Sequence, residues 1–379
     1  MKEQPNLSSN KTQLSVMFHD AAKHHRAGRT QEALGIYHAI LRIKPNHAEA
    51  NHNLALLADG IGQTEVALQF FEAAVRANPQ ELHFWKSYLE ILTRYGRIKQ
   101  AESQLEAARA AGINESGLQE LATTINQTMQ RENRTIYQHH LQMAQDRFPG
   151  MQYHEWLDWF HCSLKPTTYL EIGVESGQSL GQAQPPTKCI GIDPAPTINA
   201  DLTAWTKIFS QSSDDFFHAH DVNELFGGEK FDLCFIDGYH SFDQALRDFI
   251  NAEANAHENS VILLHDIFPL EEITASRERK TQFWTGDTWK IIPLLKEQRP
   301  DLSIVTIPTF PSGLAVVTNL DPKATAKNKE FSDLVDKWTS KDYRDYADTM
   351  PKHLNAIENE KTVVFSHLTR TLTKAIASC

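Results

Sequence analysis

Cysteine is scarce. Cys162, Cys189, Cys234 and Cys379 are the whole complement of a 379-residue chain. Neither their number nor their spacing suits a disulfide framework or a zinc site, so reduced thiols are expected. Glycine (17) and proline (16) are too few for a collagenous or low-complexity chain, which points to a folded protein. No uninterrupted apolar run reaches the roughly 18 residues of a bilayer-crossing helix. The opening stretch MKEQPNLSSNKTQLSV contains no apolar segment of signal-peptide length. A cytoplasmic location without a membrane partner is therefore the expectation. Basic charge is also in deficit, with 37 Lys and Arg against 48 Asp and Glu and a net charge of −11. Through residue 125 the count is 13 against 13, so the remaining 24 against 35 carry the entire excess. Such a surface repels phosphate backbones, and no nucleic-acid partner is expected.

The first third of the chain contains a repeat. Gly28, Gly62 and Gly96 are each 34 residues apart, as are Ala33, Ala67 and Ala101, and Pro45 and Pro79 keep the same step. Apolar residues around these markers recur at helical spacing, for example Ala67, Phe71 and Ala74. The glycine ends the first helix of each pair in a left-handed cap, the small alanine lets the paired helices approach, and the proline stops the second helix. This resembles the tetratricopeptide repeat. The family usually places an aromatic residue early in the first helix, a place held here by Met17, Asn51 and Trp85, and Ile113 stands where a third closing proline would be. The resemblance implies a protein-interaction or homo-oligomerisation scaffold over residues 12–113, with 114–150 continuing as a helical cap and linker.

From about Met151 the pattern changes to short apolar runs separated by helix-like stretches. Strands are predicted over Thr168–Ile172, Lys188–Ile192, Trp205–Phe209, Phe231–Ile236, Val261–Leu264, Ser303–Ile307 and Leu314–Thr318. The spacing predicts a doubly wound α/β sheet, in which ligands sit beyond the carboxyl ends of the strands. The chain as a whole is thus expected to be multidomain, an all-α solenoid followed by an α/β Rossmann-like domain over 151–322 and a helical extension over 323–379. The first strand runs into Glu171-Ile-Gly173-Val-Glu-Ser-Gly177-Gln-Ser179, a GxxxG turn rather than the GxGxxG that NAD requires. Asp193 closes the second strand, 22 residues after Glu171.

These features, with Phe231-Asp-Leu-Cys-Phe-Ile-Asp237-Gly-Tyr-His240, resemble the class I S-adenosylmethionine-dependent methyltransferases. Further elements make the chain similar to the methyltransferases grouped as family 24: Ala245 to Phe249, His265-Asp266, and Trp284 to Asp287. The resemblance implies that Glu171, Gly173, Gly177 and Ser179 touch the amino-acid end of S-adenosylmethionine, that Asp193 holds its ribose, and that Ser213 and Asp214 contact adenine. It implies O-methylation of a small molecule or glycan, with Asp237, His240, His265 and Asp266 as the catalytic set. Metal-dependent relatives place acidic ligands where Asp237 and Asp266 stand, followed by an Asn that is Ile267 here. A divalent cation at Asp237 and Asp266 and a metal-free site with His240 or His265 as base both stay open. So does a non-catalytic adaptor that keeps a nucleoside pocket. Trp284 and Trp289 are expected in the core. Arg277, Arg279 and Lys280 form a cationic island, either a solvated face or a site for an acceptor carboxylate or phosphate.

Overall fold

A computed structural model describes residues 7–324 and 328–372. The chain divides into two compact units, Met1–Asn133 and Arg134–Cys379.

The first unit is helical, with α1 (Leu7–Arg26), α2 (Thr30–Ile43), α3 (Ala48–Gly60), α4 (Thr64–Ala77), α5 (Leu82–Arg94) and α6 (Ile98–Ala110) leading into α7 (Glu115–Arg147). The 34-residue markers do what their chemistry suggests. Gly28, Gly62 and Gly96 have φ of 71°, 75° and 69°. After each, the next N–H reaches back across the turn: Arg29 to His24 O (3.0 Å), Gln63 to Ala58 O (2.8 Å) and Arg97 to Leu92 O (2.8 Å). Ala33, Ala67 and Ala101 are fully buried. Asn51 and Trp85, one repeat apart, serve the same backbone purpose. Asn51 Nδ2 donates to Pro45 O (3.0 Å) and Trp85 Nε1 to Pro79 O (2.8 Å), which explains how an amide stands in for an aromatic ring.

In the second unit, α8 (Tyr153–Leu164) leads into a seven-stranded sheet of β1 (Thr168–Ile172), β2 (Lys188–Ile192), β3 (Trp205–Phe209), β4 (Phe231–Ile236), β5 (Ala256–His265), β6 (Ser303–Ile307) and β7 (Leu314–Thr318). Their order is β3-β2-β1-β4-β5-β7-β6, parallel except for β7, which runs antiparallel to both neighbours. Six strands have the predicted bounds. β5 begins five residues earlier than predicted, because Ala256 pairs with Phe231 across a register shift. The connecting helices are α9 (Ser213–Ala219), α10 (Val222–Leu225), α11 (Phe242–Ala254) and α12 (Ile291–Gln298), followed by α13 (Asn328–Thr339), α14 (Met350–His353) and α15 (Lys361–Thr371).

Alternate side chains of each strand point to opposite faces, and each face has a core of its own. Leu170, Ile190, Cys234 and Ile262 pack with α11 and α12 through Leu246, Phe249 and Leu294. Tyr169, Cys189, Leu233 and Leu263 pack with α8 and α15 through Trp156, Phe160, Val364 and Leu368. The last predicted amphipathic stretch, Val363 to Ala377, therefore covers the sheet of its own chain through Thr371, and the rest lies outside the described residues. Cys189 and Cys234 are buried free thiols. Cys162 is disulfide-bonded, which corrects the expectation of reduced thiols at that position. Cys379 lies outside the described residues. No helix among the described residues is long and apolar enough to cross a membrane.

Candidate active site

The strand order reverses between β1 and β4, and a cavity of ≈ 910 Å³ opens beyond their carboxyl ends. Gly173 makes the closure of that floor possible. Its φ is +89°, and a Cβ there would lie 1.9 Å from the Asp237 carbonyl oxygen, so a side chain would force β1 and β4 apart. Asp193 fastens the turn to the end of β2. Its Oδ2 accepts the N–H of Val174 (3.0 Å) and of Glu175 (2.8 Å), and its Oδ1 accepts that of Ala195 (2.8 Å). Both features were expected to face one ligand, and both line the same cavity.

Glu171 occupies a different place from the one expected. It lies beneath the turn, fully buried, because the two-residue period of β1 sends its side chain to the same face as Tyr169. Tyr169 Oη (2.6 Å) and Ser179 Oγ (2.7 Å) both donate to it. Burial pushes its carboxyl up to about 8 against those two hydrogen bonds. Glu171 thus supports the turn from below, and Ser179 joins it to the cavity wall. Gly177, with φ +80°, closes the same turn. Asp214 is also displaced from the expected contact. Its carboxylate accepts from Gln244 Nε2 (3.2 Å) and pairs with Arg247 Nε (3.3 Å), while its neighbour Ser213 faces the cavity.

The ends of β4 and β5 bring four polar side chains together as the sequence predicts. His240 Nε2 lies 2.9 Å from Asp266 Oδ2 and 3.6 Å from Asp237 Oδ1, and His265 Nδ1 lies 3.2 Å from Asp237 Oδ1. Asp237, His240 and Asp266 each offer one ligand atom, all within 4.8 Å of one another. The Trp284 carbonyl accepts from His240 Nδ1 (2.9 Å), which fixes the ring so that Nε2 of the charged imidazole donates to Asp266 Oδ2 at 2.9 Å. His265 is buried, and its Nδ1 makes no aligned hydrogen bond despite the short approach to Asp237. Asp266 holds φ +58°, a strained backbone for a residue with a Cβ.

Charge in this cluster is shared. Burial alone would raise Asp237 and Asp266, but the two imidazoles hold both carboxyls below their usual range, Asp266 far below it. Burial alone would lower the histidines, but the carboxylates carry His265 up to about 10 and His240 well above its ordinary value.

The Trp284-Thr-Gly-Asp287 segment positions this group. Asp287 Oδ1 accepts from Phe242 N (2.8 Å) at the start of α11, and a Cβ on Gly286 would come 1.7 Å from His240 O. Trp289 is fully buried as expected. Trp284 is not a core residue. It is half-buried on the cavity wall, stacked on His240 with ring centroids 5.3 Å apart, because its carbonyl must reach His240. The cationic island divides. Arg277 pairs with Asp243 and with Asp287 (3.3 Å), and Arg279 alone of the three lines this cavity.

Residues 170–267 match the family model described as a methyltransferase domain. Residues 24–83 match the model described as a tetratricopeptide repeat. The chain carries tetratricopeptide repeats followed by a methyltransferase domain. Among solved structures, the Yersinia enterocolitica type III secretion translocator chaperone SycD is 19% identical, over 32% of this chain and 83% of its own, with a TM-score of 0.27. The first tetratricopeptide domain of Spaghetti (RPAP3), bound to an HSP90 peptide, is 18% identical over 31% and 92%, with a TM-score of 0.27. No curated protein matches the chain.

Three wall residues of the methyltransferase domain escaped sequence reasoning. Tyr153 of α8 places its ring 4.2 Å from that of His265, and His154 follows it on the wall. Both precede the first strand, where no motif marks them. Asp248 of α11 stands within the Ala245 to Phe249 element, and its position four residues after Gln244 was the available signal.

Proposed function

We propose that this methyltransferase domain uses S-adenosylmethionine to methylate a hydroxyl of a small molecule or glycan, with the repeats serving protein interaction or oligomerisation. One observation carries the reading: the glycine turn, Asp193 and the Asp237–His240–His265–Asp266 cluster all border a single cavity. S-adenosylmethionine supplies a methyl group on a sulfonium, and its transfer is an in-line displacement that depends on orientation. The turn at Gly173 would let a ligand approach the backbone closely. Asp193 Oδ1, engaged by only one N–H, keeps capacity to accept from a ribose hydroxyl.

The donor set also fits a divalent cation. Asp237, Asp266 and His240 Nε2 would hold it, with His240 oriented through its bond to Trp284 O. Such an ion supplies Lewis acidity that favours the ionised form of an acceptor hydroxyl. His265, whose Nδ1 is sealed against Asp237, would then hold that carboxylate in place rather than meet the acceptor. Tyr153, Trp284 and Arg279 form the wall on which the acceptor would rest.

Titration calorimetry tests the cofactor with S-adenosylmethionine, S-adenosylhomocysteine and NAD as ligands. The first two should bind and NAD should not, and binding of NAD alone would overturn the reading. Tight binding without turnover on any acceptor panel would assign the pocket to regulation instead. For the cation, magnesium, manganese and zinc titrated into the chelator-treated protein should give binding that Asp266→Asn weakens at least tenfold.

A further inference from the structure

α11 aims one more carboxylate at the cavity. Asp248 is 1% exposed, yet it belongs to the cavity wall. Its Oδ1 is committed, accepting from Ser213 Oγ at 2.6 Å and from Gln244 Nε2 at 3.0 Å. Among the described residues no donor reaches Oδ2, and that oxygen is not one of the sealed, unpartnered polar atoms. It therefore opens onto the cavity. Gly238, the residue after Asp237, keeps the approach clear, since a Cβ there would stand 3.3 Å from Oδ2. Burial pushes the Asp248 carboxyl up to about 6, with the hydrogen bonds from Ser213 and Gln244 opposing the shift. A carboxylate so enclosed, with one oxygen pre-engaged and the other free, is arranged for a ligand that donates.

The place of Asp248 in the sheet narrows the donor. The glycine turn and Asp193 occupy the cavity over β1 and β2, where the amino-acid and ribose portions of the cofactor are proposed to lie. Ser213 follows β3 and Gly238 follows β4, the strands on either side of β2 and β1. The bond from Ser213 to Asp248 ties the segments after β3 and β4 together along the cavity, where Ile192 and Pro194 beside Asp193 supply apolar surface for the face of a ring. We propose that Asp248 Oδ2 accepts a hydrogen bond from the exocyclic amine of the cofactor's purine, so that Ser213, Gln244 and Asp248 together select a 6-amino over a 6-oxo base. The proposal rests on the methyltransferase reading of this cavity.

The test compares S-adenosylhomocysteine with S-inosylhomocysteine by calorimetry on the full chain. The unmodified protein should prefer the amino ligand by roughly ten- to a hundredfold, the range of a hydrogen bond to a buried charged group. Asp248→Asn should bring that ratio close to unity, because its amide can donate to a 6-oxo group. An unchanged ratio in Asp248→Asn would overturn the proposal. Should that variant not fold, the ratio is read in Ser213→Ala and Gln244→Ala, which release Oδ1; it should shrink in both, and constancy in both overturns the proposal equally. Loss of discrimination against a 2′-deoxyribose analogue, with the base preference kept, would move Oδ2 to the sugar and also overturn it. Failure of the unmodified protein to bind either nucleoside would instead defeat the methyltransferase reading itself.

Discussion

At Glu171, burial decides the charge. An exposed glutamate ionises near 4.5, whereas this one is carried up to about 8 beneath the glycine turn. Between those values the folded chain holds a proton that the unfolded chain releases. Stability contributed by this group is therefore lost as pH rises across the window, by on the order of 3–5 kcal/mol in all. Glu171→Gln, which stays neutral and keeps an acceptor for Ser179, should flatten the decline in denaturant midpoint between pH 5 and pH 8. A slope equal to that of the unmodified protein would show that Glu171 is ionised in the fold. At Gly173 the constraint is steric instead. Gly173→Ala must place a Cβ against the Asp237 carbonyl at a φ that disfavours any side chain. The expected cost is roughly 2–4 kcal/mol, with loss of S-adenosylhomocysteine binding. Chemical denaturation and calorimetry on the same variant would reveal both effects.

The repeat helices and the Trp284–Asp287 segment show how elements were read with different success. Each repeat turn depends on residues within a few positions of one another, so the 34-residue step in glycine, alanine and proline exposed it. The substitution at Asn51 did not reveal its meaning, since a missing aromatic residue looks like a departure until its amide is seen on Pro45 O and His47 O. Asn51→Ala should remove both bonds and destabilise the repeat unit by roughly 1–2 kcal/mol, whereas a thermal midpoint matching that of the unmodified chain would make Asn51 a bystander. The Trp284–Asp287 segment was recognised as a motif, but its task was not. It caps α11 through Asp287 and orients the His240 ring through a carbonyl, and a backbone acceptor has no signature in side-chain identity.

Across the whole molecule, charge and core are distributed by unit. Each unit has hydrophobic clusters of its own: Phe71, Tyr88 and Leu89 lie in a core of the first, and Leu170, Ile236 and Phe249 in one of the second. A fragment ending at Asn133 should accordingly show a helical circular dichroism spectrum and a cooperative thermal transition. A broad, non-cooperative loss of ellipticity would mean that the repeats depend on the remainder for their fold. The acidic excess falls on the part of the chain after residue 125, consistent with a ligand other than a polyanion.

Local pattern alone determined the repeat period, six of the seven strand bounds and the residues gathered at the ends of β4 and β5. Those properties follow from short-range periodicity and from the rule that parallel strands deliver their carboxyl ends to one edge. Only the tertiary structure decided that Glu171 supports the turn rather than facing the cavity and that Arg277 is consumed by Asp243 and Asp287. It also decided that Trp284 leaves the core for His240 and that Asp248 turns an oxygen inward. Each of these depends on which distant side chain or carbonyl lies within about 3 Å, a distance that hydrogen bonds and ion pairs require and that a linear order of residues does not contain.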